Sequence, residues 1–181
     1  MSDVILLTGE PRVGKTTVIQ KIIENLDCEI SGFYTQEIRE ENERTGFKII
    51  TFHGIEKILA HVNIKGSPRV SKYGIDLQAL DWVVSESLEK AIQQNKSVFI
   101  IDEIGAMEIF SKYFCAVVSK LLSGNFLVIG TIVKRSFPFT DKIKSMSNVT
   151  LLEVSRDNQE AIVQEVLDFV RKTNACKTKT G

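Results

Sequence analysis

The chain has 181 residues, 43% of them hydrophobic and 8% aromatic, an ordinary globular balance that supports one domain with a substantial core. Its 23 basic and 23 acidic side chains cancel, which excludes an overall field that would draw the protein to nucleic acid or anionic lipid. Any polyanion must be captured locally.

The first apolar run, Val4 to Thr8, is closed by Gly9 and predicts a buried parallel strand. Val18, Ile19, Ile22, Ile23 and Leu26 then recur with helical spacing. Between them lies "TGEPRVGKTTV", in which Gly9, Gly14, Lys15 and Thr16 fit GxxxxGK[ST], so strand, loop and helix surround a phosphate-loop motif in the required order. "EISGFYTQEIRE" and "GFKIITFHG", separated by the charged "ENERT", predict an antiparallel hairpin that interrupts the strand-helix alternation. A polar stretch around "KGSPRVSKYG" leads into a long helix with Leu77, Leu80, Val84, Leu88 and Ala91 on one face.

Three further β-branched runs follow: "SVFIID" (97–102), "FLVIGTIV" (126–133) and "NVTLLEV" (148–154). Helical patterns at about Ser111 to Leu122 and Thr140 to Met146 separate them. The last helix is expected to start at Asp157, capped with Glu160, and to bury Ile162, Val163, Val166, Leu167 and Val170. This order specifies an α/β three-layer sandwich: a mostly parallel sheet, helices on both faces and an inserted antiparallel hairpin. One domain, 1–172, is expected, with a polar tail, 173–181, that frays. The three cysteines, Cys28, Cys115 and Cys176, are far apart, odd in number and without CxxC spacing. They are expected as free thiols in a reducing compartment. The first apolar run is too short for a signal core or a span, so a soluble, cytoplasmic protein is expected.

The phosphate loop is the chemical signal. Gly9, Glu10, Pro11, Arg12, Val13, Gly14, Lys15, Thr16 and Thr17 form the expected phosphate-binding run, with amides from about Val13 to Thr16 pointing at the anion. Lys15 would reach the β and γ phosphates, the Thr16 hydroxyl would ligate Mg2+, and Thr17 would lie near the α phosphate. "VFIIDE" places Asp102 and Glu103 at the carboxyl end of a buried strand. Asp102 suits the magnesium shell, and Glu103 suits orientation and deprotonation of an attacking water.

Thr131 either serves the γ phosphate or the water, or caps its own backbone. Glu108 either approaches the metal or, the favoured reading, is a helix-start carboxylate held by the dipole. Arg12, Arg69, Arg135 and Arg156 are the candidates for compensating charge on the departing phosphoryl group. Most are expected as surface charges, and none is assigned. His53 and His61 show no metal-binding pattern and are expected to pack or face solvent. No NKxD follows a strand and no aromatic-basic stripe appears, so base discrimination is expected to be weak and nucleic acid is not an expected partner.

Carried by "LLTGEPRVGKTT", "GFYTQEIRE", "RVSKYGID", "IDEIGAMEIFS", "IGTI" and "SRD", the chain resembles the small P-loop nucleoside-triphosphatases first recognised in thermophiles, a family that includes the cancer-related nucleoside-triphosphatase. The resemblance implies a RecA-like sheet and Mg2+-dependent hydrolysis of ATP, GTP, CTP and UTP to diphosphate and phosphate. It also implies phosphate binding by Gly9 to Thr16, with Asp102 and Glu103 serving metal and water. A monomer without a membrane or nucleic-acid partner is expected. The chain departs from the family pattern at Ala106, where lysine is common, and at Ser155, where asparagine is usual, so no family role is carried to either. A kinase using the same loop and a nucleotide-dependent binding switch are the competing readings.

Overall fold

The computed structural model describes residues 3–66, 68–173 and 175–179; Ser67 of the polar run and Asn174, Thr180 and Gly181 of the tail lie outside them. In chain order the elements are β1 (Asp3–Thr8), α1 (Lys15–Asn25), β2 (Leu26–Asp27), β3 (Ser31–Glu40), β4 (Glu43–Thr51), β5 (Glu56–His61), β6 (Arg69–Val70) and β7 (Tyr73–Ile75). They continue with α2 (Leu77–Val84), α3 (Lys90–Gln93), β8 (Val98–Ile104), α4 (Lys112–Ser123), β9 (Leu127–Ile132), α5 (Pro138–Lys144), β10 (Val149–Glu153), α6 (Gln159–Lys172) and β11 (Lys177–Thr178).

Among the described residues, nine strands form one sheet in the order β10-β1-β9-β8-β3-β4-β5-β7-β6. The pairings from β10 through β3 are parallel and those from β3 through β6 antiparallel. The parallel strands are apolar on both sides because helices cover both faces. Along β1, Val4 and Leu6 join the core under α2, α4 and α5, while Ile5 and Leu7 join the core under α1 and α6. The α/β sandwich with a mostly parallel sheet is therefore present, and each expected parallel strand is found.

Several local expectations need correction. The turn between β3 and β4 is only Glu41 and Asn42, both with positive φ (48° and 67°), a two-residue connection of the kind whose twist matches that of the flanking strands. Glu43 to Thr45 of "ENERT" are therefore strand. The hairpin is the first half of a larger antiparallel extension that includes β5, β7 and β6. Strands of two and three residues carry no period-2 signal of their own, and pairing alone fixes them. The long helix runs from α2 into α3 through a π-helical turn at Ser85–Glu89.

Helix α6 begins at Gln159 with Asn158 at the cap, not Asp157. The Asn158 side chain instead accepts from the Ser155 N–H (2.8 Å) and donates to the Glu153 carbonyl (2.8 Å). The free-thiol expectation holds only for Cys115. Cys28 and Cys176 form a disulfide across a separation of 148 residues. The expected fraying is corrected for 177–178, which pair with β2 as Lys177↔Asp27 and Thr178↔Leu26. No helix among the described residues is long and apolar enough to cross a membrane.

Candidate active site

Strand β1 lies between β10 and β9, so the loop after Thr8 opens over the carboxyl edge of the parallel sheet, where α/β folds bind ligands. Two glycines let that loop close. A side chain at Gly9 (φ 145°) would stand 2.5 Å from the Val154 carbonyl oxygen, and one at Gly14 (φ 96°) would stand 2.5 Å from Gln159 Nε2. At Gly9 the backbone itself leaves no room for a Cβ, and at Gly14, where the Gln159 amide could swing aside, the left-handed φ still favours glycine. Helix α1 then starts at Lys15 with no side-chain cap and no acidic residue in its first turn. The first intrahelical bond is Val18 N–H to the Gly14 carbonyl (2.9 Å), so the preceding amides keep their donors for an anion. The Lys15 ammonium folds over the loop and donates to the Gly9 and Glu10 carbonyls, both at 3.0 Å.

Two strands over, β8 delivers the carboxylates. Asp102 is 2% exposed, and its Oδ1 accepts from the Thr131 hydroxyl at 2.7 Å. Its Oδ2 is buried without a hydrogen-bond partner among the described residues. Burial pushes the Asp102 carboxyl above its usual range, while hydrogen bonding from Thr131 and Thr16 and the charge of Lys15 oppose the shift. Glu103, the next residue, lines the phosphate-loop cleft. Its carboxyl is pushed up by burial and by the Asp102 charge, with Lys15 again opposing.

Glu108 turns back on its own loop and accepts from the Gly105 N–H at 3.1 Å. It starts a 3-10 turn, Glu108–Phe110, and burial followed by the Glu103 charge pushes its carboxyl up to about 8. It does not line the cleft, and it heads a three-residue turn with burial favouring its protonated form, so the expected helix-start carboxylate held by a dipole is corrected. The Thr131 hydroxyl is given to Asp102 and not to its own backbone.

An unpartnered carboxylate oxygen in a buried position is what a hard cation would satisfy. Among the described residues no group of three or more His, Cys, Asp or Glu could hold a metal. Magnesium shared with phosphate needs no such cage: Asp102 and the Thr16 hydroxyl fit it as the protein's oxygen ligands.

The cleft has a volume of about 1450 Å³ and takes in Gly9 to Arg12, Gly14 to Thr17 and Glu103. Val13 is set back, its carbonyl accepting from Gln159 Nε2 at 2.7 Å. Of the candidate arginines, Arg12 and Arg135 line the cleft, the latter with its guanidinium 5.3 Å over the Phe137 ring. Arg69 is engaged with the Ile64 carbonyl at 2.8 Å and the Lys72 carbonyl. Arg156, like Arg69, lies outside the cleft wall. His61 Nδ1 accepts from the Asn63 N–H (3.2 Å) in the antiparallel extension, away from the phosphate loop.

Sequence reasoning missed three contributors. Gln159 braces the loop from 146 residues away, a contact with no local signature. Lys134 pairs with both Glu10 and Glu153, each at 2.9 Å, clasping the loop to β10, and these carboxylates hold its ammonium protonated. The hairpin supplies Tyr34 to Glu37, Arg39, Arg44 and Phe47 to the cleft wall. Its sequence was legible as a hairpin but gave no sign of which side chains face the loop.

The chain matches the family described as NTPase over residues 4–167. It is 44% identical over 180 residues to "Nucleoside-triphosphatase THEP1" of Thermotoga petrophila, covering 98% of each chain. It is 36% identical over 188 residues to the "Cancer-related nucleoside-triphosphatase homolog" of Mus musculus, covering 96% of this chain and 99% of that one. Among solved structures, THEP1 of Aquifex aeolicus superposes with a TM-score of 0.85 at 36% identity, over 95% of this chain and 100% of the other. The solution structure of a human cancer-related nucleoside triphosphatase gives 0.77 at 28% identity, over 96% and 100%.

Proposed function

The chain belongs to the NTPase family, with named nucleoside-triphosphatases among its relatives, and we propose that it hydrolyses nucleoside 5'-triphosphates to diphosphate and phosphate with Mg2+ and weak base discrimination. ATP, GTP, CTP and UTP are all proposed substrates, and a monomer in the cytoplasm is the proposed acting form. The observation that carries the reading is the pairing of an uncapped α1 N-terminus with the buried, half-satisfied carboxylate of Asp102. One feature suits the triphosphate and the other its cation.

Backbone amides from about Val13 to Thr16 bind the phosphates, and Lys15 exchanges its loop carbonyls for phosphate oxygens. Thr131 fixes Asp102 through its Oδ1, leaving the buried Oδ2 without a hydrogen-bond partner among the described residues. Glu103 holds the attacking water and takes its proton as the new P–O bond forms and the bond to the leaving diphosphate breaks. Burial and the neighbouring Asp102 charge raise its affinity for a proton, the direction that suits a general base. Bound Mg2+ would neutralise charge on the β and γ phosphates.

Phosphate release across the four triphosphates, with Mg2+ or with chelator, tests the proposal. Lys15→Ala should abolish release, and Glu103→Gln should slow it by about 10²–10⁴-fold with little change in triphosphate affinity. A Glu103→Gln variant that turns over like the parent sinks the water-activation role, and undiminished release in chelator sinks the metal's.

A further inference from the structure

We propose that the hairpin end of the cleft is a second anion site, built for a phosphomonoester held beside the triphosphate. Single small-ligand pockets run to about 300–1,000 Å³, and the phosphate-loop cleft alone reaches about 1450 Å³. It shares Arg12, Arg39, Arg44 and Phe47 as lining with an adjoining hollow of about 530 Å³. Lys72 and Met107 close that hollow. There is room for a second ligand after the first is seated.

The charge there is unlike that of the chain as a whole, which is neutral. Arg12, Arg39, Arg44 and Lys72 border the hollow against the carboxylates of Glu43 and Glu37, which pairs with Arg39 and Arg44 at 2.7 Å each. The surplus is two positive charges, the complement of a dianionic phosphomonoester. Arg44 is held ready for it. Its Nε donates to the Tyr73 hydroxyl (3.0 Å), its Nη1 donates to Glu37 (2.7 Å), and its guanidinium lies 5.0 Å from the Phe47 ring centre. Nη2 has no hydrogen-bond partner among the described residues, so a fixed guanidinium keeps a donor edge for an oxyanion.

Arg12 adds a separate observation. It stands in the left-handed region, φ 65°, where a non-glycine residue is strained. Among the described residues no carboxylate pairs with it, and it borders both the triphosphate cleft and the hollow. An arginine kept at a position that favours glycine, without an ion pair, supplies a cation between two anions.

The site stands on this geometry and not on hydrolysis, so the two can fail separately. Calorimetric titration of the full chain, free and saturated with Mg2+ and β,γ-imido-ATP, would use AMP, ribose 5-phosphate, inorganic phosphate and adenosine. AMP and ribose 5-phosphate should each bind the loaded protein once per chain, phosphate should compete, and adenosine should not bind. AMP binding much tighter than ribose 5-phosphate would add a ring contact at Phe47; equal affinities would assign recognition to the phosphate alone. Lys72→Ala, at an exposed position, should weaken AMP roughly ten- to a hundredfold without changing affinity for the triphosphate analogue, and Lys72→Arg should restore it. Arg44→Ala, at a residue that also lines the triphosphate cleft, should weaken AMP by at least as much. Phosphomonoester binding that is absent, that appears only in the free protein, or that ignores Lys72→Ala overturns the site.

Discussion

Replacing Cys28 with serine opens the bond to Cys176 that spans 148 residues of sequence, and the size of the effect follows from the loop it releases. In the chain-entropy model a loop of that length removes about 17 cal/mol/K from the denatured ensemble, or about 5 kcal/mol at 25 °C; measured disulfides more often give about 2–4 kcal/mol. The folded side changes little, because the tail keeps other ties. Lys179 N–H donates to the Asn25 carbonyl (2.9 Å), Lys179 Nζ to the Glu24 carbonyl (2.7 Å), and Arg171 Nε to the Thr178 hydroxyl (2.9 Å). With an unfolding entropy of about 2.1 cal/mol/K per residue, 2–5 kcal/mol lowers Tm by roughly 5–13 °C for 181 residues. Urea unfolding of Cys28→Ser, beside the parent with and without reductant, measures this. The variant should match the reduced parent, and the denatured oxidised parent should titrate a single free thiol, Cys115. Oxidised and reduced parent unfolding within about 0.5 kcal/mol of each other, or three titratable thiols without reductant, would refute the reasoning.

Burial, followed by the Glu103 charge, pushes the Glu108 carboxyl from the usual range near 4.5 up to about 8, so between those values the native state binds the extra proton. Stability contributed by the protonated group is full below about pH 4.5 and is lost as pH rises through 8. Glu108→Gln, which keeps an acceptor for the Gly105 N–H, should flatten that decline in urea midpoints taken from pH 5 to 8.5. Parallel curves for parent and variant would remove Glu108 as the cause. Gln159→Ala removes the donor to the Val13 carbonyl, a neutral bond worth about 0.5–1.5 kcal/mol. Triphosphate affinity should fall by up to about tenfold with kcat nearly unchanged, and an unaltered Kd would show that the loop holds its shape unaided.

The parts of the fold that were legible in the sequence are those whose information is local. β1, β8, β9 and β10 announce themselves as β-branched runs, and α4 and α6 by their apolar faces. Gly9 through Thr16 could be placed because one short segment makes strand end, loop and helix start together. Residues whose position depends on distant partners were hidden. The two-residue β6 exists only because β7 lies beside it. Cys28 and Cys176 meet because β11 docks on β2, which no odd count of cysteines reveals. For Thr131, two readings followed from the sequence, and only the register of β8 against β9 brings its hydroxyl to Asp102.

The bracing of the phosphate loop also bears on when the protein gains its grip as it is made. The loop spans residues 9–14, yet it is buttressed by the Val154 carbonyl against Gly9, by Gln159 against Val13, and by Lys134 bridging Glu10 to Glu153. Its strand also needs β9 and β10 on its two sides. A growing polypeptide thus carries its nucleotide motif well before it has a formed cradle, which waits until about residue 159 has emerged, so nucleotide capture follows synthesis of the whole stretch from β1 to the start of α6.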